Sequence, residues 1–351
     1  MLPAVFLLAL AALSAAGFAS DGSAVARSAL VQRRGAAAMN AGPCVIKVIG
    51  VGGGGSNAVV RMLAGPQSAT LELYAMNTDA QALEGAPTGV KRLQLGRDVT
   101  RGLGAGGNPQ IGRLAAEESV ADITRLVEGT DLVFVVAGMG GGTGSGAAPV
   151  VAQCAREAGC LTIGVVTKPF LFEGARRMRQ AVEAIQNMRT TTDALLVISN
   201  DKLLASAKAD LPIDQAFAYA DSVLQQGVVG MSDVIVKPGL INVDFADVCA
   251  IMANGGLSLM GIGKASGKDR AVLAAQQAVT SPLLDFPVAN ARGVLFTMTG
   301  PPSMALSEVN AAAKVITESA DPGANIIFGA LIDENAGDEI SITVVATGLV
   351  V

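Results

Sequence analysis

The sequence predicts an α/β protein with a doubly wound parallel sheet, a long connecting helix and a second, smaller α/β domain. The chain of 351 residues is longer than most single domains. It is 51% hydrophobic but only 3% aromatic, which suits tightly packed layers of helices on sheets better than an aromatic-rich sandwich. Short apolar runs that end in glycines alternate with helical stretches, as they do in a doubly wound sheet.

The first 40 residues are predicted to be a two-part targeting segment that leads to the plastid stroma. Residues 1–17 are an apolar stretch that is too short to span a bilayer and ends in small residues, as a signal peptide does. Residues 18–40 are rich in Ala and Ser and contain three arginines and a single acid, which is typical of a transit peptide. Phe18 after the expected cleavage point resembles the presequence of algae with secondary plastids. The alternatives are a tail without addressing value and a mitochondrial leader, which fits less well because no positive charge precedes the apolar run.

The first folded domain is expected to span residues 44–212. Its strands are predicted from continuous apolar runs, which are typical of buried parallel strands. The runs are VIKVIGV at 45–51, the segment before Asn77, LVFVVA at 132–137 and LTIGVVT at 161–167. Helices are expected to start near Ser56 and near Ala147.

A long helix and a second domain are predicted to follow. Apolar residues recur at helical spacing from Ile213 to Met231, and the connecting helix is assigned to residues 213–236. The second domain is assigned to residues 237–351. It is expected to contain helices near 244–253, 268–279 and 307–319, interleaved with the strands VLFTMT, IIFGALI and ISITVVA.

Composition excludes several classes of function. The formal net charge is −5 and no long run of Lys or Arg is present, so the electrostatic footprint of a nucleic-acid-binding protein is missing. Histidine is absent, which removes the Ser-His-Asp triad and the commonest zinc ligand. No metal-binding residues are predicted. The cysteines form no CxxC pair or zinc spacing and are predicted to be buried, reduced thiols in a reducing compartment; they are Cys44, Cys154, Cys160 and Cys249.

Two glycine-rich loops indicate a nucleotide-binding protein. The first, GVGGGG at residues 50–55, follows a predicted strand and precedes a helix, where glycines and a helix N-terminus can bind phosphate. Alone it also matches GxGxxG, and with Asp79 it leaves open a NAD-dependent oxidoreductase of the Rossmann type. The second loop, GMGGGTGSG at 138–146, follows the third predicted strand. Because a dinucleotide enzyme needs only one such loop, the pair favours a nucleoside triphosphate, and no Walker sequence is present.

Several motifs resemble those of the tubulin/FtsZ GTPase family. GGGTGSG at residues 140–146 matches the signature of this family. The alternative interpretation of this motif is a flexible turn without a function. Its neighbours are NTDAQAL from Asn77, RGLGAGGNP from Arg101, VVTKPFLFEG from Val165, SNDKLL from Ser199 and KPGLINVDFADV from Lys237. The resemblance extends from about residue 45 to the end of the chain. It implies a GTPase domain, a GTPase-activating C-terminal domain with a mixed sheet, GTP or GDP as ligand and Mg²⁺ as cofactor.

The resemblance also implies a role for each part of the nucleotide site. Residues 52–56 and 140–146 would hold the phosphates, and residues 103–108 would close over the terminal phosphate. Glu173 and Arg177 would contact ribose and phosphate, and Thr143 would add a hydroxyl. The full set of nucleotide-binding residues is Gly52, Gly53, Gly54, Ser56, Asn57, Asn77, Gly104, Ala105, Gly106, Asn108, Gly138, Gly140, Gly141, Gly142, Thr143, Gly144, Ser145, Gly146, Glu173, Arg177, Asn200, Phe217 and Asp221.

Three of these residues would recognise the base. Asn200 and Asp221 would bind guanine, and Phe217 would stack on it. Members of the family often have Asn at the position of Asp221, although a carboxylate can also accept from guanine N–H groups. For Phe217 a core aromatic on the connecting helix is the alternative.

Catalysis is assigned to Asp244, Asp247 and Asn242. The two acids are three residues apart at the start of a helix, so they lie on one face and can orient and polarise a water molecule. Their pattern alone favours the alternative that they cap that helix and complement its dipole, whereas the resemblance favours the catalytic role. The resemblance implies that their loop, which Asn242 helps to position, reaches the GTP of the next subunit. Such a joint is heterologous and propagates as a head-to-tail filament.

The resemblance finally implies a place and partners for the protein. Filaments of this chain, alone or with another isoform, are expected to form the plastid division ring. Members of the family often carry a linker and a docking peptide after the folded core, and none follows Val351 in this sequence; either the chain does not tether itself or the sequence is truncated, and membrane contact is expected only through adaptors. A non-hydrolysing homologue that co-polymerises with a partner remains an alternative, against which the intact Asp244 and Asp247 argue.

Overall fold

The computed structural model describes residues 44–64, 71–206, 212–237, 239–281, 283–284 and 288–349, and the predicted targeting segment lies outside these residues. The strands are β1 Ile46–Val51, β2 Leu71–Asn77, β3 Lys91–Gln94, β4 Leu132–Gly138, β5 Leu161–Lys168, β6 Ala194–Ser199, β7 Gly256–Ala265, β8 Gly293–Gly300, β9 Asn325–Ile332 and β10 Ile340–Thr347. The helices are α1 Gly52–Ala64, α2 Ala80–Glu84, α3 Arg97–Thr100, α4 Pro109–Glu118, α5 Val120–Val127, α6 Gly142–Glu157, α7 Ala175–Thr191, α8 Asn200–Ser206, α9 Ile213–Val236, α10 Phe245–Met252, α11 Arg270–Val279 and α12 Leu306–Ser319. Across these ranges, none of the helices is long and apolar enough to cross a membrane.

In the described part of the chain the strands form one ten-stranded sheet in the order β3-β2-β1-β4-β5-β6-β7-β10-β8-β9. Neighbouring strands from β3 to β7 are parallel. β10 is antiparallel to both β7 and β8, and β8 is parallel to β9. β6 and β7 pair only between residues 194–196 and 256–258, so a parallel part and a mixed part meet at a narrow contact. The predicted fold class is confirmed.

Helices cover both faces of the parallel part. α1, α9 and α10 share a buried cluster with one face of β1, β4 and β5, and α4 to α7 share a second cluster with the opposite face. Residues of β1 and β4 are therefore buried on both sides of the sheet. This burial explains why their sequences are continuous apolar runs rather than alternating ones.

The helix α9 connects the two parts of the sheet. It has 24 residues and is therefore about 36 Å long at the usual rise per residue. Val223 and Val228 of this helix lie in one buried cluster with Leu295 of β8 and Val345 of β10. The helix predicted from Ile213 is thus present and packs against strands of both parts.

Three strands have no counterpart in the sequence prediction. β3, KRLQ, is a short edge strand with two cations, and it has no apolar run. β6, ALLVIS, is an apolar run, which periodicity cannot distinguish from a buried helical segment. β7, GLSLMGIGKA, contains three glycines, which weaken a strand signal.

The four cysteines are free thiols. Cys154, Cys160 and Cys249 are buried, and Cys44 is partly buried. Burial raises the pKa of Cys44 and of Cys249 to about 12. These two thiols therefore stay protonated, and so unreactive, near neutral pH.

Candidate functional site

Two glycine-rich loops meet at the C-terminal ends of β1 and β4. The first leads into α1 and the second leads into α6. A Cβ atom added to Gly52, whose φ is +73°, would lie 2.8 Å from the backbone nitrogen of Gly144. A Cβ atom added to Gly144 would lie 2.5 Å from the carbonyl oxygen of Gly138. Glycines alone allow this approach, and together the loops form a backbone surface that side chains do not obstruct.

Both loops run directly into helix N-termini. The prediction that the helices start near Ser56 and Ala147 is wrong, because α1 begins at Gly52 and α6 at Gly142. Glycine has a low helix propensity, but here it permits close packing: a Cβ atom on Gly55 would lie 2.2 Å from a carbonyl oxygen of β4. The unpaired N–H groups and the dipole of each helix start favour an anion such as phosphate.

The predicted residues of the first loop differ in exposure. Gly53, Gly54 and Asn57 are exposed, whereas Ser56 is buried. The Ser56 hydroxyl has no hydrogen-bond partner among the described residues. A buried hydroxyl without a partner is costly, and a phosphate oxygen of a bound nucleotide would satisfy it.

Two buried hydroxyls join the second loop to the end of β2. The Oγ1 atoms of Thr143 and Thr78 are 2.7 Å apart. Asn77 supports this contact, since its Oδ1 accepts the N–H of Thr78 at 2.9 Å. Within the loop, the N–H of Gly140 donates to the hydroxyl of Ser145 at 2.8 Å. The predicted residues found in this loop and in the first turns of α6 are Gly138, Gly140, Gly141, Gly142, Thr143, Gly144, Ser145 and Gly146.

A third loop, residues 103–108, lies against the second glycine loop. The N–H of Gly104 donates to the carbonyl oxygen of Thr78 at 3.2 Å. Ala105 is buried, and a Cβ atom added to Gly142 would lie 2.9 Å from its side chain. Asn108 closes the loop by capping α4 through its Oδ1. The predicted residues of this loop are Gly104, Ala105, Gly106 and Asn108.

Glu173 and Arg177 lie beside the second loop. They form an ion pair one helical turn apart, and Glu173 Oε1 also accepts the N–H of Phe170 at 2.9 Å. A Cβ atom added to Gly140 would lie 2.9 Å from the carbonyl oxygen of Arg177. The start of α7 is therefore in contact with the loop that is predicted to hold phosphate.

The predicted base contacts Asn200 and Phe217 lie in the first turns of α8 and α9 respectively. Asn200 is buried, and its Oδ1 has no partner in the part of the chain that the structure describes. The ring of Phe217 stands edge-on to that of Phe170, with 5.3 Å between the centroids. Phe217 remains 41% exposed, so the interpretation as a core aromatic is wrong. An exposed aromatic face and an unpaired amide oxygen are suited to a planar base with N–H donors.

Asp221, the third predicted base contact, lies one turn after Phe217 on α9 and pairs with Arg61 of α1. The distance from Arg61 Nε to Asp221 Oδ2 is 2.9 Å. Burial raises the pKa of the Asp221 carboxyl, and the hydrogen bond and charge of Arg61 partly offset this shift. Arg61 therefore favours the ionised form, which can accept two N–H groups from a base.

The residues predicted to be catalytic are separate from the glycine loops. Asn242, Asp244 and Asp247 follow the C-terminal end of α9, whereas Phe217 and Asp221 lie near its start. About 22 Å of helix separate Asp221 from Val236. The helix α9 therefore keeps the two acids away from the glycine loops of the same chain.

The loop with the two acids is ordered by its own side chains. Asn242 Oδ1 accepts the N–H of Gly239 at 2.6 Å, and Asp244 caps α10 by accepting the N–H of Asp247 at 2.8 Å. The capping alternative therefore holds for Asp244, while Asp247 stays exposed. Slight desolvation and the negative charge of Asp244 raise the pKa of the Asp247 carboxyl, which increases its affinity for a proton and hence its strength as a base.

Two residues with contacts in the site are absent from the sequence prediction. Thr78 directly follows Asn77 at the end of a predicted strand, and this position is a signal that could have identified it. Arg61 could have been inferred only from the need of a buried carboxylate for a cation. Its partner Asp221 is 160 residues away, so no local pattern connects them.

Comparison with known proteins gives a consistent result. The family profile described as the tubulin/FtsZ family GTPase domain matches residues 45–208. The profile of the FtsZ family C-terminal domain matches residues 256–350. Together the two profiles match most of the chain.

Solved structures agree with the family profiles. An FtsZ dimer from M. jannaschii, described as empty, is 43% identical, with a TM-score of 0.83 over 88% of this chain and 90% of that one. A GTPγS-bound protofilament of CetZ2 from Haloferax volcanii is 22% identical, with a TM-score of 0.74 over 87% of this chain and 93% of that one. At that identity the second likeness supports the fold alone.

Proposed function

The chain belongs to the tubulin/FtsZ GTPase family, and on this premise we propose that it is a GTPase that polymerises head to tail into filaments of a plastid division ring. Hydrolysis takes place at the joints between subunits. Membership of this family speaks against the alternative of a NAD-dependent oxidoreductase, which would use only one of the two glycine loops.

The observation that carries the proposal is the separation of two incomplete groups. The glycine loops, Ser56 and Asn200 provide a nucleotide site with unsatisfied polar atoms. This site lacks the acids Asp244 and Asp247, which lie in a different loop of the same chain. That loop has acids but no glycine cradle of its own. Stacking one subunit on the next would bring a cradle and an acid pair together and give a complete site at each joint.

Exposed apolar side chains support the same joint. Leu103, in the loop against the second glycine loop, is 85% exposed, and Leu240, in the loop of the two acids, is 64% exposed. Burial of an exposed apolar side chain against a partner is favourable, because it removes apolar surface from water. A head-to-tail joint would bury both.

The chemistry of the joint follows from the residues at hand. Asp247, with Asp244 beside it, would orient and polarise the attacking water, and the glycine loops would stabilise negative charge on the phosphates. No group of three or more acidic, Cys or His side chains suited to a metal ion occurs among the described residues. Mg²⁺ bound together with the nucleotide would offset the charge of the triphosphate.

The cellular role rests on the sequence of residues 1–40. A signal-peptide-like stretch followed by an Arg-containing, Ala- and Ser-rich stretch favours import into a plastid. There the filaments would include this chain, with a second isoform as a further partner, and would contact the membrane only through adaptors. Residues 1–43 fused to a fluorescent protein should reach the plastid, and accumulation in mitochondria would contradict this part of the proposal.

The first experiment compares nucleotides. The purified chain with Mg²⁺ and GTP, GDP or ATP is followed by sedimentation and by phosphate release, with Asp247→Ala alongside. Polymer is expected with GTP only, and Asp247→Ala should retain polymer while phosphate release falls roughly a hundredfold, as is usual for loss of a group that activates water. The matched control is Asp122→Ala, which removes another exposed acid from the first turn of a helix.

Each result has a definite meaning. GTP binding without polymer would favour the alternative, a homologue that assembles only with a partner. No binding of GTP would contradict the proposal as a whole.

A further inference from the structure

A carboxylate of α8 holds the turn that carries Glu173. Asp201 Oδ1 accepts the N–H of Leu171 at 3.0 Å, although the two residues are 30 positions apart. Leu171 begins the short 3-10 turn Leu171–Glu173, which follows β5. Asp201 is the second residue after β6, the strand that pairs with β5. The hydrogen bond therefore joins two neighbouring loops at the same edge of the sheet.

The apolar contact of this turn with a distant element is aromatic: the ring of Phe172 stands edge-on to that of Phe217 on α9, with 6.4 Å between the centroids. The side chain of Leu171 is 73% exposed, and Phe172 is also exposed, although its ring stacks on that of Phe170. Glu173 is bound by residues near it in sequence, namely Phe170 through its N–H and Arg177 through its guanidinium. These local contacts shape the turn, while the bond to Asp201 fixes the turn relative to β6.

The two loops joined in this way carry two different predicted contacts. Glu173 is expected to bind the ribose, and Asn200, which directly precedes Asp201, is expected to bind the base. A ligand that contacts both gains affinity when the spacing between them is fixed before it binds.

We propose that Asp201 is a positioning residue for guanine nucleotides, which holds Glu173 at the correct place relative to Asn200 through the N–H of Leu171. The proposal rests on the proposed function in one respect, that the ligand is a guanine nucleotide. Asp201 itself does not touch the nucleotide, and its effect is exerted through Glu173.

Two substitutions remove the same hydrogen bond from opposite sides. Asp201→Ala removes the acceptor. Leu171→Pro removes the donor N–H, and proline is tolerated at the first position of a helical turn. Phe170 before it already has φ −68° and ψ 151°, which is the conformation that a residue before proline prefers. Asp201→Asn is the conservative variant, because it keeps an Oδ1 acceptor and loses only the charge.

The test measures the affinity of the full chain for GDP, which avoids the effects of polymerisation. Asp201→Ala and Leu171→Pro should each weaken GDP binding roughly tenfold, the effect of losing one hydrogen bond to a charged group. Asp201→Asn, whose amide oxygen is a neutral and therefore weaker acceptor, should recover part of this loss, to roughly threefold below the unchanged chain. In a Glu173→Ala background, Asp201→Ala should have almost no further effect, because the residue on which it acts is gone.

The contrary results are distinct. An undiminished tenfold loss from Asp201→Ala in the Glu173→Ala background would overturn the proposal, as would equal losses in Asp201→Ala and Asp201→Asn. If Asp201→Ala fails to fold, Leu171→Pro with unchanged affinity overturns it independently. Failure of the unchanged chain to bind GDP would overturn the proposed function and this inference together, whereas normal binding by the unchanged chain and by all variants would overturn this inference alone.

Discussion

Arg61 and Asp221 form an ion pair that joins α1 to α9, with 2.9 Å between Arg61 Nε and Asp221 Oδ2. Arg61 lies in the last turn of α1, the helix that begins in the first glycine loop, and α9 carries two of the predicted base contacts, Phe217 and Asp221. The pair thus fixes the helix that follows the first glycine loop against the helix that carries these two residues. The Asp221 carboxylate is the more buried partner, so it depends on Arg61 more than Arg61 depends on it.

Replacing Arg61 with glutamine is expected to make GTP binding more sensitive to acid. Guanine N–H groups donate to an ionised carboxylate, and burial already raises the pKa of Asp221 against the lowering effect of Arg61. Without Arg61 the pKa rises further, so protonation, and with it the loss of affinity, begins at a higher pH as the pH falls. Binding curves between about pH 8 and about pH 5 should show this displacement, with a loss of roughly fivefold or less at the alkaline end, since part-exposed ion pairs contribute up to about 1 kcal/mol.

Arg125→Gln is the matched control for this experiment. Arg125 pairs with Asp122 at 3.2 Å, and both side chains are largely exposed. Its removal should leave the pH profile of GTP binding unchanged. Superimposable profiles for Arg61→Gln and the unchanged chain would contradict the role of Arg61.

The sequence predicts the layout of this protein better than its fine structure. Continuous apolar runs reveal β1 and β4 because both faces of these strands are buried. The start of α1, by contrast, is predicted too late. Glycine has a low helix propensity, but close packing of Gly55 against β4 outweighs it in the folded protein. Sequence motifs likewise predict that the two glycine loops belong to one site. The contact of Arg61 with Asp221 cannot be predicted in this way, because it arises only in the tertiary fold.

The buried hydroxyl pair of Thr78 and Thr143 offers a prediction on stability. Thr143→Val keeps the shape of the side chain but leaves the Thr78 hydroxyl, 2.7 Å away and fully buried, without this partner. The free energy of unfolding should fall by about 1–3 kcal/mol, as measured by urea denaturation without nucleotide. Because the Thr78→Val/Thr143→Val protein lacks both hydroxyls, its loss should be smaller than the sum of the two single losses. Additive losses would show that the two hydroxyls do not interact.

Gly146 and Gly141 are predicted to respond differently to alanine. A Cβ atom on Gly146 would lie 1.9 Å from the carbonyl oxygen of Pro109, whereas a Cβ atom on Gly141 would meet no atom within 4 Å. Gly146→Ala must therefore push α4 away from α6 and should destabilise the protein by about 1–3 kcal/mol or more. Thermal unfolding of the two variants without nucleotide tests this difference. A normal melting temperature for Gly146→Ala would show that the two helices can separate at little cost.

The exposed side chains of Leu103 and Leu240 are predicted to affect assembly rather than folding. Leu103→Ser and Leu240→Ser should each raise the concentration of protein needed for GTP-dependent polymer roughly tenfold or more, since burial of a leucine side chain contributes about 1.5–3 kcal/mol. Sedimentation provides the measurement, and melting temperatures should stay the same. Leu114, which is exposed on α4, supplies the control Leu114→Ser. If Leu114→Ser reduces polymer to the same degree, the effect of replacing an exposed leucine is not specific to the proposed joint between subunits.

Mixtures of two inactive variants test the shared site most directly. Asp247→Ala retains the nucleotide cradle but lacks the acid, and Asn200→Ala retains the acid but lacks the buried amide that is expected to bind the base. At a joint where the loop of the second variant meets the nucleotide of the first, all parts of the site are present. Phosphate release by the mixture should therefore exceed the sum of the two separate rates several-fold, because water activation is usually worth a hundredfold or more.

The control for the mixture is the double variant Asn200→Ala/Asp247→Ala combined with Asp247→Ala. No joint in that mixture contains an acid at position 247, so phosphate release should stay at the level of the single variant. Rates that simply add in the first mixture would mean that each chain hydrolyses GTP with its own acids, which would require the loop after α9 to reach the glycine cradle of the same subunit. A distance of about 22 Å along the helix between Asp221 and Val236 opposes that arrangement. If activity recovers in the first mixture but not in the second, GTP is hydrolysed at a joint between two subunits.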